Sequence, residues 1–219
     1  DMFNVVNPLG KKATKEITES MAIIHQLRKI VLLEENKMKY TVVDLCAGNA
    51  LTSVLAVHML PIKNAIAIDK RERNGRHLEQ AKRFEYLTRD IYENNVFENI
   101  IYQTEEGIVH SLDRKYDNMK VKYSFELIPT KELILISVHV CADLAHRIIE
   151  LYKQTDQAKY LIMMPCCIGN RNYSFPSIVR SKLGRYFSWC YNLALKAEGT
   201  FIEDKSIISP CNGIVLAKK

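Results

Sequence analysis

The chain has 219 residues, of which 47% are hydrophobic and 26% are charged, and these proportions are ordinary for a single globular domain. No apolar run approaches the roughly 20 residues that cross a bilayer, and this excludes a membrane-spanning helix. The net charge of +6 permits a polyanionic ligand without requiring one. Six cysteines without disulfide-framework spacing favour a reducing, cytoplasmic compartment. A partner protein, or a domain upstream of Asp1, is left open.

The predicted elements alternate between helix and strand along most of the chain. Apolar residues at three- and four-residue spacing, among them Ile17, Met21 and Ile24, predict a helix within an N-terminal segment, residues 1–38. Strands are then predicted at 41–45, 65–68, 84–87, 133–138 and 160–164, and helices at about 50–60, 72–83, 143–153 and within 168–198. Residues 93–131 are predicted to form an insertion. Two strand-like runs, 201–208 and 214–217, flank an Asn-Gly turn signal and predict a C-terminal hairpin.

Residues 41–51 are the most informative stretch. An apolar β-branched run ends at Asp44, a turn of small residues that includes Gly48 follows, and a helix-like run begins near Leu51. Strand, tight turn and helix in this order build a ligand cradle at the carboxyl end of a parallel strand. The next strand ends at Asp69. Its separation from the turn along the chain is close to that at which an acid reaches the ribose hydroxyls of a bound nucleoside.

A pyrophosphate loop needs three glycines, whereas this turn has one, and Asp44 would repel a phosphate. An acid at this point suits a cationic ligand. The segment resembles motif I of class I S-adenosylmethionine-dependent methyltransferases, with Ala50 where a second glycine is usual. The resemblance implies an α/β, Rossmann-like fold: a seven-stranded, mostly parallel sheet with a C-terminal antiparallel hairpin and helices on both faces. It also implies that S-adenosylmethionine is bound by Asp44, Cys46, Ala47, Gly48, Asn49, Asp69, Lys70, Asp90 and His139.

The two central strands continue into polar and sulfur-bearing residues. The fourth strand leads into His139 and Cys141, and the fifth leads into Pro165-Cys166-Cys167. Both ends open onto the ligand crevice of a parallel sheet. This His-x-Cys and Pro-Cys-Cys pair resembles a methyltransferase branch that includes tRNA acceptor-stem ribose methyltransferases, with Ala142 where that branch has glycine. The resemblance covers about residues 40–217 and implies RNA, with tRNA favoured, as the methyl acceptor.

Several interpretations of this cysteine and histidine cluster stay open. His139 can act as a base or orienting group at the transfer site. Cys166 or Cys167 can act as a nucleophile toward a pyrimidine ring. Two to four of the groups can bind zinc, although their spacing matches no recognised finger. Buried thiols that only pack a strand end are the structural alternative. We select His139, Cys141 and Cys166 as candidate catalytic residues and include no metal in the predicted site.

Basic and aromatic side chains alternate between Arg171 and Lys196. Arginines hold phosphates while aromatic rings stack on exposed bases, so this segment predicts RNA binding. The candidate substrate-binding residues are Arg171, Tyr173, Arg180 and Arg185. The alternative is an amphipathic helix with its aromatic residues in the core and its cations in water. A second basic group that includes Arg71 is interpreted as a solvated helix face.

Together these features predict a methyltransferase that acts on RNA. Two alternatives remain at this point. One is a methyltransferase with a small-molecule or protein acceptor, which a net charge of +6 fits equally well. The other is a non-catalytic domain that binds the cofactor and serves as a partner within a larger complex.

Overall fold

A computed structural model of the protein describes residues 10–33, 38–73, 76–97, 100, 132–168 and 177–219. These residues contain five helices, namely α1 (Gly10–Val31), α2 (Leu51–Met59), α3 (Arg76–Gln80), α4 (Ala142–Gln154) and α5 (Ser177–Lys196). They also contain seven strands, namely β1 (Tyr40–Leu45), β2 (Asn64–Asp69), β3 (Phe84–Thr88), β4 (Glu132–Cys141), β5 (Ala158–Cys167), β6 (Thr200–Glu203) and β7 (Gly213–Lys218). Most of the predicted insertion, 93–131, lies outside the described residues.

The strands form one sheet in the order β3-β2-β1-β4-β5-β7-β6. β1 to β5 are parallel to one another, and β7 is antiparallel to both β5 and β6. The strand order reverses between β1 and β4, which is where ligands bind in open α/β sheets. At this point the Ser137 hydroxyl of β4 donates a 2.5 Å hydrogen bond to the Leu45 carbonyl of β1. The predicted fold class, including the C-terminal antiparallel hairpin, is confirmed.

Helices cover both faces of the sheet. Val42 and Val43 point to opposite faces of β1, yet both are fully buried, as expected for a central parallel strand. One face packs against α4 and α5 through residues such as Ile148 and Trp189. The other packs against α1 and α2 through residues such as Ile23 and Val54. No helix in the described parts of the chain is long and apolar enough to cross a membrane.

Two predicted helices differ from those in the structure. The helix predicted at about 72–83 is limited to Arg76–Gln80. On α1 the helical period was right, but the predicted apolar face was partly wrong, because Met21 is 38% exposed while Ile23 is fully buried. The buried side of α1 includes two polar residues, Glu19 and Ser20. A search for apolar spacing passes over such residues, so the buried face was rotated relative to the prediction.

Candidate active site

The turn after β1 holds the backbone in an unusual shape. Cys46 and Gly48 have φ angles of 59° and 57°. Ala50, just before α2, has a φ of 54°, and Ala142, the first residue of α4, has a φ of 38°. These two alanines stand where the resembled motifs have glycine, which adopts such angles without steric cost. The chain therefore keeps a glycine-type backbone at both helix starts, at a cost of about 1–2 kcal/mol each.

Asp44 is buried beside this turn, with only 2% of its surface exposed. Its Oδ2 accepts a 2.7 Å hydrogen bond from the Ser53 hydroxyl, whereas no described residue hydrogen-bonds to its Oδ1. Burial raises the pKa of Asp44 to about 7; the Ser53 hydrogen bond opposes this rise and the charge of Asp69 adds to it. A buried carboxyl group with an unpaired oxygen suits a ligand that brings a positively charged donor.

Asp69, at the end of β2, is paired through both oxygens. Its Oδ1 accepts from the Arg71 backbone N–H at 3.0 Å and the Arg71 Nε at 3.1 Å, and its Oδ2 accepts from the Gly48 N–H at 2.9 Å. Burial alone would raise the pKa of Asp69, but these hydrogen bonds and the Arg71 charge lower it. Arg71 is thus not part of a solvated helix face, because it precedes α3 and covers the acid predicted to bind ribose.

The other acid predicted near the cofactor, Asp90, follows β3. Its carboxylate accepts a 3.1 Å hydrogen bond from the Tyr92 N–H, which stabilises a turn.

Burial and the charges of Asp69, Asp44 and Asp90 raise the pKa of Cys46 to about 12, whereas Lys70 opposes this rise. The Cys46 thiol is therefore neutral at physiological pH.

A cleft of about 310 Å³ opens beside the turn. It is lined by residues 46–49 of the turn, by Arg71, by His139 and by Glu16 of α1, among others. A cleft of this size is sufficient for a small ligand. A larger groove of about 420 Å³ lies between α1 and the C-terminal hairpin, but it contains none of the predicted site residues. The smaller cleft is the candidate site because the charged and strained groups converge there.

Two successive β-bulges shape the ends of β4 and β5. The strand register pairs Val138 with Met164 and Val140 with Pro165, so it skips His139. It next pairs Cys141 with Cys167 and so skips Cys166. His139 also has a φ of 62°, which is rare outside glycine. Bulges often re-aim side chains next to active sites, and here they displace two of the three predicted catalytic residues.

His139 contacts a residue that the sequence analysis did not select. Its Nε2 lies 2.6 Å from an Oε of Glu19, whose side chain is fully buried on α1. The two groups are at ion-pair distance. Neither oxygen of the Glu19 carboxylate, however, accepts a well-aligned hydrogen bond from a described residue. Lys15, one turn earlier, lies 3.8 Å from the other oxygen. In the sequence, Glu19 was distinguishable only as a charged residue at a position that faces the buried side of α1.

The structure brings the thiols of β4 and β5 together. The Cys141 sulfur lies 2.9 Å from that of Cys166 and 3.3 Å from that of Cys167. The latter two sulfurs are 3.4 Å apart. Burial, the largest effect, raises the pKa of both Cys141 and Cys166, so both are thiols at neutral pH. A neutral thiol is a poor nucleophile, and this arrangement offers no support for a Cys166 nucleophile.

The predicted substrate-binding residues are only partly placed. Arg171 and Tyr173 lie outside the described residues, whereas Arg180 and Arg185 are exposed on α5. The aromatic residues that follow are divided between core and surface: Trp189 is buried, whereas Tyr191 is exposed. Trp189 is 1% exposed. The Tyr186 hydroxyl donates to the Pro165 carbonyl at 2.8 Å and accepts from the Gly213 N–H at 3.1 Å.

Comparison with known proteins identifies the fold. No curated protein sequence matches this chain. Among solved structures, the carbon methyltransferase CurJ has a TM-score of 0.55 and 10% identity over 95% of this chain and 55% of that one. The methyltransferase domain of bacterial CtHen1 has a TM-score of 0.49 and 11% identity over 94% of this chain and 100% of that one. The 23S rRNA methyltransferase ErmE has a TM-score of 0.47 and 10% identity over 90% of this chain and 68% of that one.

The family assignment rests on sequence. The profile of a family described as a methyltransferase domain matches residues 11–170, which span most of the chain and include β1 to β5. The sheet has the seven strands and the antiparallel hairpin that the motif resemblance implied. The chain therefore belongs to this methyltransferase-domain family and is an S-adenosylmethionine-dependent methyltransferase of the class I fold.

Proposed function

We propose that this protein transfers the methyl group of S-adenosylmethionine to RNA, and that the ends of β1 and β2 hold the cofactor. One observation supports the cofactor placement above the others. Asp44 is a buried carboxyl group, and its Oδ1 has no hydrogen-bond partner among the described residues. S-adenosylmethionine carries an ammonium and a sulfonium group, and it supplies an electrophilic methyl group. The ammonium group pairs with Asp44, directly or through a water molecule.

Asp69 is the proposed partner of the ribose hydroxyls, and it has to exchange Arg71 for them. The Arg71 side chain is 59% exposed, so the guanidinium group can swing into solvent. Gly48 stays in place. A carboxylate has several lone pairs, so Asp69 can accept hydrogen bonds from the Gly48 N–H and from the ribose hydroxyls at the same time. The Tyr86 hydroxyl, 3.1 Å from the Gly48 carbonyl, supports the turn from the other side.

Replacing Arg71 with glutamine is expected to tighten cofactor binding by up to about fivefold. An exposed ion pair contributes roughly 0.2–1 kcal/mol, and the native protein loses this pair when the ribose displaces the arginine. Calorimetric titration of both proteins with S-adenosylmethionine measures the difference. Arg73→Gln is the matched control, because Arg73 lines the same cleft but is not the partner of Asp69. Weaker binding by Arg71→Gln would show instead that Arg71 contacts the cofactor.

Replacing Asp44 with asparagine is expected to stabilise the cofactor-free protein above pH 7. The pKa of Asp44 is raised from 3.8 to about 7 in the fold. The folded state therefore binds more protons than the unfolded state between about pH 4 and pH 7, and native stability falls as the pH rises through this range. The asparagine variant escapes this loss, which amounts to at most about 4 kcal/mol.

Urea unfolding of both proteins at several pH values between 4 and 8.5 checks this expectation. The stability difference should grow with pH and level off above pH 7. The variant should bind the cofactor more weakly above pH 7, where Asp44 is ionised, and this affinity difference should shrink as the pH falls. A difference that does not depend on pH would mean that Asp44 does not titrate in this range.

The RNA assignment rests on the motif resemblance and on the exposed cations of α5. Arg180, Lys182 and Arg185 are all exposed. Tyr186 ties this helix to Pro165, so α5 lies beside the carboxyl end of β5, where the bulges and the candidate catalytic groups are. Cations at this place are suited to the phosphates of a substrate whose reacting group enters the cleft.

In this reaction the protein positions the acceptor in line with the methyl group and supplies a fitting electrostatic environment. His139 is the proposed base for the acceptor, because its ring lines the cleft and is 37% exposed. Glu19 orients that ring from the buried side and acts through it, so Glu19 is a positioning residue.

The decisive experiment supplies methyl-labelled S-adenosylmethionine to the protein together with separate pools of tRNA, other RNA, protein and metabolites. Label in tRNA that is absent with Asp69→Asn would support the proposal, and nucleoside digestion would then identify the methylated atom. Label only in protein or metabolites would refute the RNA assignment. Cofactor binding without label in any pool would favour a non-catalytic partner domain.

A further inference from the structure

The three sulfurs at the ends of β4 and β5 are uniformly spaced. Their separations are 2.9, 3.3 and 3.4 Å. A disulfide would require about 2.05 Å between one pair of sulfurs. Tetrahedral zinc with Zn–S bonds of about 2.3 Å places its sulfurs about 3.8 Å apart. Each pair is therefore within about 1 Å of the zinc geometry, and small side-chain rotations are sufficient to reach it.

The backbone has a feature that this convergence requires. Adjacent residues of a regular strand point to opposite faces of a sheet, so Cys166 and Cys167 would normally be unable to bind one ion. The bulge at Cys166 removes this alternation and brings both sulfurs to Cys141 on the neighbouring strand. The bulge cannot be predicted from the sequence. The three cysteines therefore meet in the structure although their spacing along the chain matches no recognised zinc motif.

The location of the three thiols also differs from that of a packing cysteine. Cys190 is fully buried in the core, as unreactive structural cysteines usually are. Cys141 and Cys166 are only partly buried, and Cys167 is exposed. An exposed member gives a metal ion a path of entry. Three thiolates select a soft or borderline cation such as zinc over magnesium or calcium.

We propose that Cys141, Cys166 and Cys167 bind one zinc ion, with the fourth coordination position left for water or another exogenous ligand. Cys211 is a candidate for a fourth protein ligand because it contacts Cys166, but its thiol donates to the Cys166 carbonyl at 2.9 Å. Its sulfur is also not part of the group in which all ligand atoms lie within 4.8 Å of one another. Binding releases the thiol protons, and the ion joins the ends of β4 and β5 two residues from His139.

The test uses the full chain and needs no methyl transfer, so its outcome is independent of the proposed function. The purified protein is titrated with zinc and, separately, with cobalt(II), and bound metal is measured by mass spectrometry after chelator-free dialysis. We expect one tightly bound zinc ion per chain and a sulfur-to-cobalt charge-transfer band. We also expect zinc to protect these three cysteines from alkylation, as peptide mass spectrometry would show.

Substitutions distinguish ligands from neighbours. Cys167→Ser, the least disruptive ligand change because Cys167 is exposed, should weaken zinc binding at least tenfold. Cys211→Ser should retain the ion. Circular dichroism of each variant checks that it is folded, and the cobalt spectrum of the native chain gives an answer even if a variant is not. The proposal is overturned if the native chain holds no zinc, if Cys167→Ser binds zinc as tightly as the native chain, or if Cys141 and Cys166 form a disulfide instead.

Discussion

Replacing Asp69 with asparagine is expected to weaken S-adenosylmethionine binding roughly 100-fold. The reason is that a hydrogen bond to a charged group contributes about 1.5–3 kcal/mol, and Asp69 is proposed to accept the ribose hydroxyls as a carboxylate. Its side chain is only 6% exposed, so water does not replace the lost interaction. Asparagine keeps the size of the side chain and still accepts the Gly48 N–H, and the turn should stay folded. Calorimetry with the cofactor or its demethylated product measures the change.

A double mutant makes this prediction more specific. If Arg71 affects the cofactor only by covering Asp69, Arg71→Gln should tighten binding in the native background and have no effect in the Asp69→Asn background. A change of less than threefold for Asp69→Asn alone would contradict the ribose assignment. Equal effects of Arg71→Gln in both backgrounds would show that Arg71 acts on the ligand independently of Asp69.

Replacing Glu19 with glutamine is expected to lower kcat by about 10- to 100-fold while cofactor affinity stays unchanged. Glu19 lies 2.6 Å from the His139 ring and is fully buried, so its carboxylate holds that ring in place. Glutamine keeps the shape of the side chain and removes the charge. The measurement is initial-rate kinetics on the RNA pool that accepts the methyl group, with kcat and KM determined separately.

The control for this prediction is Glu16→Gln. Glu16 lies on the same helix and lines the same cleft, and its replacement is expected to change kcat little. His139→Asn combined with Glu19→Gln should be no slower than His139→Asn alone, because the acid acts through the histidine. The positioning role is wrong if Glu19→Gln keeps full kcat, or if the two substitutions multiply. Unfolding in urea separates either result from a loss of stability, since removing a buried charge can stabilise a fold.

The strand, turn and helix start of the proposed cofactor site could be predicted from sequence because they are close in the chain. Asp44, Gly48 and Ala50 belong to one strand, turn and helix start, so their spacing determines their geometry. Asp69 follows one helix later, and the parallel pairing of β1 with β2 places it opposite the turn. Local order also predicted all seven strands and the antiparallel pairing of the last two. The strand predicted at 201–208 ends at Glu203, however, and Gly213 begins β7, so no two-residue Asn-Gly turn joins these strands. The length of the helix predicted at 72–83 was overestimated. This charged segment has little apolar periodicity, so the sequence pattern does not define where the helix begins and ends.

The side of the cleft that holds the proposed base depends on contacts between residues far apart in the chain. Glu19 and His139 are separated by 120 positions, and nothing in the apolar pattern of α1 indicates that a carboxylate lies on its buried side. The pairing of Arg71 with Asp69 is local, but it depends on whether the arginine lies on α3 or before it. Arg71 was predicted to lie on a solvated helix face, whereas in the structure it precedes α3 and pairs with Asp69, although its side chain is 59% exposed.

By itself, the sequence determined the fold class and the succession of strands and helices along the chain, because hydrophobic period and short-range spacing encode them directly. Only the tertiary structure decided that His139 faces a buried Glu19 and that Cys141, Cys166 and Cys167 meet at one point. These contacts depend on two bulges that shift β4 and β5 out of register. A bulge changes which face a side chain occupies without changing the pattern of residue types, so it is decided by packing across the sheet.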